Sequence, residues 1–282
     1  MTRLSRSLLF VPGNRPDRFE KALACGADSV IIDLEDAVAP QAKDEARGTL
    51  TAWLAKGAGG RRGASAEARG NREPAVLVRL NGADTPWFEQ DLALCGQPGV
   101  AGVMLPKAEG GATLAALREA GARVLLPLVE SAAGFTALGA IAAAPGVERL
   151  AFGSIDFQVD LGMRDAREEE LLYFRSQLVL ASRLAGLAPP VDGVSTAIDD
   201  AASLEDDTLR ARRLGFGGKL CIHPRQVAPI HRALRPSDEQ LDWARRVLAA
   251  DAASPGAAQL DGRMVDRPVV LQAQRLLRLG RG

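Results

Sequence analysis

The feature that most constrains this chain is a short apolar run that recurs eight times, with helix-like stretches between. The runs are SLLFVPG (7–13), SVIIDLED (29–36), AVLVRLN (75–81), GVMLPKA (102–108), RVLLPLVE (123–130), RLAFGSIDF (149–157), VDGVS (191–195) and KLCIHP (219–224). Most are continuous rather than alternating, which suits parallel strands covered on both faces. The intervening stretches are rich in Ala, Leu, Arg and Glu. RPDRFEKALACG is one: a proline near its start, apolar residues at helical spacing and a glycine stop. Strand–helix units summing to eight predict an α/β fold, a (β/α)8 TIM barrel. An open doubly wound sheet is the competitor. The count of eight and the lack of a glycine-rich dinucleotide loop favour the barrel.

Two regions break the rhythm. Residues 57–72, GAGGRRGASAEARGNR, have no apolar period and read as a mobile surface insertion. After residue 224 the pattern changes to SDEQLDWARRVLAADAA, a helix with capping potential at its start. A loop or short hairpin and a last helix follow. The expected organisation is a barrel over 1–235 and a C-terminal helical extension and lid over 236–282.

Charge and composition exclude several classes. Lys plus Arg equals Asp plus Glu, 35 each, so nothing suggests a polyanion-binding surface and no nucleic-acid partner is expected. No apolar run approaches the roughly 20 residues of a membrane span. The N-terminal apolar run is too short for a signal peptide. Cys25, Cys95 and Cys221 are odd in number and far apart, fitting neither a metal knuckle nor a disulfide framework. A reduced, cytoplasmic setting is the expectation.

In such a barrel the active site forms at the carboxyl ends of the strands. The polar residues there are Asn14 and Arg15, then Asp33, Glu35 and Asp36, then Arg79 and Asn81. Lys107, Glu130, Ser154, Asp156 and His223 complete the set. Each alone has a plain reading: an acid can cap a helix, Arg79 or Lys107 can make a rim salt bridge, and His223 can pack a turn. Together they put five acids and three fixed cations on one face, more than a rim built for stability needs. Glu130 and Asp156, read as ending adjacent strands, can approach one ion. Without a cation two crowded carboxylates would repel. A hard divalent ion completed by water resolves this, and Mg²⁺ suits a site with two protein ligands. Zinc would ask for His or Cys. Arg79 would then clamp a substrate carboxylate through its planar fork. This arrangement suits carbon–carbon cleavage or formation beside a carbonyl.

LLFVPGNRPDRFEKA, DSVIIDLEDAV, VRLN, VMLPKAE, LVESAAG, FGSIDF, CIHPRQV and MVDRPVV resemble, in order and spacing, the citrate lyase beta subunit-like proteins. These belong to the metal-dependent aldolase superfamily that includes malyl-CoA and citramalyl-CoA lyases. The resemblance covers nearly the whole chain. It implies Mg²⁺ and reversible cleavage of a 3-hydroxyacyl-CoA thioester into an acyl-CoA and a 2-oxo acid. It implies Glu130 and Asp156 as metal ligands and Arg79 as the carboxylate contact. Glu35 and Asp36 would hold metal-bound waters or orient Arg79. Arg15, Lys107 and the segment around His223 would contact CoA. Asp266 would be a lid acid/base reaching a neighbouring subunit's site, in a homotrimer or hexamer. One departure stands out: many relatives carry an acid directly before the metal aspartate, where this chain has Ile155. Three other readings are weighed: the beta subunit of a multi-subunit citrate lyase acting on an acyl carrier protein thioester, a non-catalytic CoA or dicarboxylate binder, and a pyruvate-type aldolase using free aldehydes. Asp266 beside the metal pair argues against the binder, and Arg15 against the aldolase.

Overall fold

The computed structural model describes residues 4–60, 73–254, 256 and 258–280. All eight apolar runs contain strands: β1 (Ser7–Pro12), β2 (Ser29–Asp33), β3 (Ala75–Arg79), β4 (Gly102–Leu105), β5 (Leu125–Val129), β6 (Ala151–Phe152), β7 (Val191–Asp192) and β8 (Gly218–Cys221). Each pairs in parallel with the next, and β8 closes on β1 through Ser7↔Lys219, making a closed barrel in sequence order. The helices up to the closing strand are α1 (Pro16–Ala24), α2 (Lys43–Gly60), α3 (Phe88–Asp91), α4 (Gly111–Glu119), α5 (Ala132–Thr136), α6 (Leu138–Ala143), α7 (Ser154–Asp160), α8 (Leu172–Leu184) and α9 (Ala201–Leu214). Closure leaves no strand edge, and the helices shield the outer faces of the strands, so the runs have no need to alternate.

The strand interior still has a period of two. Leu8, Ile31, Leu77, Met104, Leu126, Leu128, Ala151, Val191 and Leu220 form one buried cluster inside the barrel, with Phe10 packed against it. Counting two residues toward the carboxyl end from Ile31, Leu77 and Leu128 gives Asp33, Arg79 and Glu130. The inward layer that is leucine and isoleucine in the middle of the barrel is therefore polar at its mouth.

Two expectations change. The run RLAFGSIDF is not one strand: β6 stops at Phe152, and Ser154–Asp160 is helical. Asp156 thus sits in the first turn of α7, not at the end of a strand, because the chain turns at Gly153 and the apolar residues beyond it follow the helical period. Residues 57–60, placed in the insertion, continue α2 to Gly60; residues 61–72 lie outside the described residues.

The chain divides into two compact units, the first Leu4–His231 and the second from Arg232 onward. The division falls inside α10 (Val227–Leu234). The second unit contains α11 (Asp238–Ala253), the pair β9 (Gln259–Leu260) and β10 (Arg263–Met264), and α12 (Arg267–Gly280). Ser237 and Gln240 form a reciprocal capping box at the start of α11. Asp261 and Gly262, at φ of 50° and 74°, make the tight turn between β9 and β10. Ala244, Val247, Val265, Val270 and Ala273 form this unit's own core.

Candidate active site

Arg79 organises the mouth of the barrel. Its Nε and Nη2 donate to the two oxygens of Asp33 at 2.7 and 2.6 Å. Asp33 and Arg79 are register partners across β2 and β3, so the ladder itself sets this two-toothed pair. Nη1 lies 2.7 Å from Glu35 Oε2 and 3.3 Å from Asp36 Oδ2. The guanidinium sits 4.7 Å above the Phe10 ring. Burial opposes its charge, but Asp33, Glu35 and Asp36 outweigh that and raise its pKa further. The sequence reading gave Arg79's fork to a substrate; in the structure Asp33 takes the Nε edge, which leaves the Nη edge toward the acids at the mouth. Asp33 was visible as a rim acid, but its role needed the strand register.

Glu130 follows β5 at the next inward position and is 4% exposed. Its Oε1 accepts from the Lys107 backbone N–H at 2.8 Å. Lys107 adopts φ 45°, the left-handed region that a side chain enters at a cost, and its side chain is exposed. It is the backbone of Lys107, not its ammonium, that meets the site acid. Glu130 Oε2 is buried with no hydrogen-bond partner. A buried carboxylate oxygen left bare is costly unless something positive meets it. Gly153 makes room for it: a Cβ built there would lie 2.2 Å from Oε2 and 2.5 Å from Glu130 Cβ. This spatial need for glycine could not be read from the sequence.

The acids raise one another. Burial, reinforced by the charge of Glu35, lifts the Glu130 carboxyl to about 8. Burial likewise lifts Glu35 to about 7 against the pull of Arg79. Asp156, on the first turn of α7, is raised by partial burial and by the charge of Asp36. The loop carrying Glu35 is held from below by Lys43, whose Nζ donates to the Leu34 and Glu35 carbonyls at 2.8 Å each. Lys43 stands on the first turn of α2 and carried no signal in the sequence. Asn81 takes a structural place: its backbone N and Nδ2 donate to Asp91 at 2.8 and 2.6 Å.

The donor set therefore fits a hard cation. An excess of carboxylates surrounds one arginine, and one buried oxygen, Glu130 Oε2, is unpaired. Among the described residues no group of three or more His, Cys, Asp or Glu is arranged to hold a metal by itself. The other expected site residues lie elsewhere on the rim or beyond it. Arg15 is exposed and forms a two-toothed pair with Asp17 at 2.9 and 3.0 Å. His223 Nδ1 accepts from Arg225 N at 3.2 Å and caps a short turn, which places the neutral ring's proton on Nε2. Asp266 belongs to the second unit, where it caps α12 by accepting from Val269 N at 3.2 Å.

A closed eight-stranded parallel barrel whose mouth gathers carboxylates around a held arginine defines an enzyme scaffold of the aldolase and lyase class. The chain belongs to the HpcH/HpaI aldolase/citrate lyase family, whose model matches residues 6–224. It is 39% identical to a citrate lyase subunit beta-like protein of Deinococcus radiodurans, over 97% of this chain and 96% of that one. It is 31% identical to a (3S)-malyl-CoA thioesterase of Cereibacter sphaeroides, over 96% of this chain and 93% of that one. Among solved structures it is similar to protein CitE of Mycobacterium tuberculosis in complex with magnesium, acetoacetate and coenzyme A. That match has 35% identity and a TM-score of 0.81, covering 98% of each chain.

Proposed function

We propose that this chain is a Mg²⁺-dependent carbon–carbon lyase that cleaves, or forms, a short 3-hydroxyacyl-CoA thioester, with an acyl-CoA and a 2-oxo acid as the products of cleavage. The observation that carries the reading is the bare, buried Oε2 of Glu130 beside an arginine already surrounded by acids. The CitE complex with magnesium, acetoacetate and coenzyme A supports it by likeness. Glu130 and Asp156 would hold the ion directly, and Glu35 and Asp36 through water. The ion supplies positive charge where the carbonyl oxygen of the 2-oxo acid forms.

The remaining work falls to the chain's own residues. Arg79, oriented by Asp33, presents its Nη edge to the substrate carboxylate. Arg15, Lys107 and His223 would contact the CoA portion along the rim, His223 through its Nε2 proton. Asp266, delivered by a neighbouring copy in a homotrimer or hexamer, would take the proton from the 3-hydroxyl. The bond between the hydroxyl-bearing carbon and the thioester's α-carbon breaks. The carbon that bore the hydroxyl becomes the carbonyl of the 2-oxo acid. The α-carbon, left as a thioester enolate, regains a proton from Asp266. Protons and electrons balance without a further reagent. The setting is cytoplasmic.

The test is titration calorimetry with Mg²⁺, followed by a panel of 3-hydroxyacyl thioesters, on CoA and on acyl carrier protein, assayed for 2-oxo acid release. The expected result is Mg²⁺-dependent release from a CoA thioester that Glu130→Ala abolishes. Unchanged Mg²⁺ affinity in that variant would reject the site. Release only from the carrier-protein thioester would assign the chain to a multi-subunit citrate lyase.

A further inference from the structure

The turn after β4 is bound at consecutive residues to the end of β5. Lys107 N donates to Glu130 Oε1 at 2.8 Å, and Ala108 N donates to the Leu128 carbonyl at 3.1 Å. Glu109 Oε1 accepts from Ser131 Oγ at 2.6 Å. Ser131 directly follows Glu130, so the turn grips the chain on both sides of that acid. Within the turn Lys107 holds φ 45°. A side chain in that region is strained, and the conformation persists only where the surroundings over-determine it.

The bond at Glu109 has a fixed direction. The Ser131 hydroxyl caps α5 by accepting from Gly134 N at 3.1 Å, which occupies one lone pair. Its single proton is left for Glu109, and a carboxylate only accepts. The 2.6 Å separation is that of a short hydroxyl–carboxylate bond, stronger than a neutral one. Gly134 also lets the turn come close. A Cβ built there would lie 2.7 Å from the Ala108 carbonyl oxygen. The turn is therefore seated on the start of α5 by Ala108, which is fully buried, and tied to it by Glu109, whose side chain reaches in from the exposed surface.

We infer that Glu109 is a positioning residue for Glu130: through Ser131 it anchors the far end of the turn, keeps Lys107 in its left-handed conformation, and so keeps Glu130 Oε1 occupied and Oε2 bare. The inference rests on the reading of Glu130 as a ligand of the ion. The last torsion of a glutamate is broad and roughly two-fold, so the side chain itself does not choose between its two oxygens. The Lys107 N–H makes that choice, and it is only as well fixed as the turn that carries it. Without the anchor, Lys107 relaxes toward negative φ, the ordinary range for a residue with a side chain. Its N–H then no longer holds Oε1, and the carboxylate loses the orientation that presents Oε2. Glu109 acts here through a hydrogen bond and not through its charge.

The experiment compares the full chain with Glu109→Gln, Glu109→Ala, Ser131→Ala and the double variant Glu109→Ala with Ser131→Ala. Amide hydrogen exchange across the turn is followed by mass spectrometry in chelator, and Mg²⁺ affinity by titration calorimetry. Glu109 is exposed, so its truncation leaves the fold intact, which urea denaturation checks. Glu109→Ala should speed exchange in the turn about tenfold. It should weaken Mg²⁺ binding by roughly 10–100-fold, the loss expected when a partner that orients a ligand is removed. Gln and Ala lose the same charge, but the Gln amide oxygen still accepts from Ser131, so Glu109→Gln should stay near the parent in both measurements. The double variant should match Ser131→Ala, because both changes break one bond. Glu109→Gln as poor as Glu109→Ala would make Glu109 a source of charge and overturn the inference. Unchanged exchange in Glu109→Ala would overturn it too, as would unchanged Mg²⁺ affinity against a parent that binds the ion. A parent that binds no Mg²⁺, with exchange in the turn still quickened by Glu109→Ala, would refute the metal reading of Glu130 and leave the anchoring of Lys107 standing.

Discussion

Replacing Glu130 by Gln should make the metal-free protein less sensitive to alkaline pH. In the folded chain the Glu130 carboxyl is raised from its ordinary 4.5 to about 8, by burial first and the Glu35 charge second. A carboxyl whose folded pKa is raised favours the protonated folded state. Its contribution to stability is therefore fully present below about 4.5 and is lost as pH rises toward 8. At pH 7 the unfolded chain has ionised this group while the folded chain keeps it largely protonated, which costs about 3 kcal/mol, from 2.5 pH units at about 1.4 kcal/mol each. Gln keeps the shape and can still accept from the Lys107 N–H, but it does not titrate. Burying its amide adds a constant offset, which shifts the whole curve without changing its slope. The assay is urea denaturation of parent and variant from pH 5 to pH 8, in chelator and in excess Mg²⁺. In chelator the parent should lose about 3 kcal/mol more than the variant across that range. Mg²⁺ should restore the parent and leave the variant unmoved. Parallel loss of stability in both proteins would refute the reasoning, since it would mean that Glu130 is not the group that the fold holds protonated.

Three more outcomes follow from the same geometry. Arg79→Lys keeps the charge but loses the fork that Asp33 holds, so 2-oxo acid binding should weaken by about 2–5 kcal/mol; calorimetry with oxaloacetate, glyoxylate and pyruvate checks this, and parental affinity would make Arg79 purely structural. Gly153→Ala forces a methyl into the space of Glu130 Oε2; it should cost about 1–3 kcal/mol of stability and lower Mg²⁺ affinity at least roughly tenfold, and a variant matching the parent in both would show that Glu130 has room elsewhere. Asp266→Asn preserves a good helix cap, whereas Asp266→Ala removes it at about 1 kcal/mol. The Asn variant should therefore match the parent in stability and Mg²⁺ binding yet lose roughly 10²-fold in kcat. Mixing it with Glu130→Ala under subunit exchange should recover part of the activity, and no recovery despite proven exchange would deny Asp266 a role across subunits.

The sequence by itself determined the barrel, because eight parallel strands need eight apolar runs and nothing else in the chain competes for them. It also determined that the mouth is charged. Asp33, Arg79 and Glu130 stand at the carboxyl ends of their apolar runs; that they continue the inward period of two of Ile31, Leu77 and Leu128 is visible only in the closed barrel. The first helix after the barrel was legible from its capping residues and apolar period, while the segment after it read only as a loop or short hairpin and a last helix, and the turn at Asp261–Gly262 came from the structure. What the tertiary structure decided is which acid holds which cation. Asp33 claims the Arg79 fork because β2 and β3 pair in one register, a fact of two strands 46 residues apart. Asp156 moved from a strand end to a helix start because a short apolar run fits either period. The exposure of Lys107's side chain, the support of Lys43 beneath Glu35 and the clearance at Gly153 depend on backbone direction and distance, which no linear pattern encodes. The raised pKa values of Glu35 and Glu130 are likewise tertiary: each depends on how much water the closed barrel removes from a carboxylate and how near the next one stands.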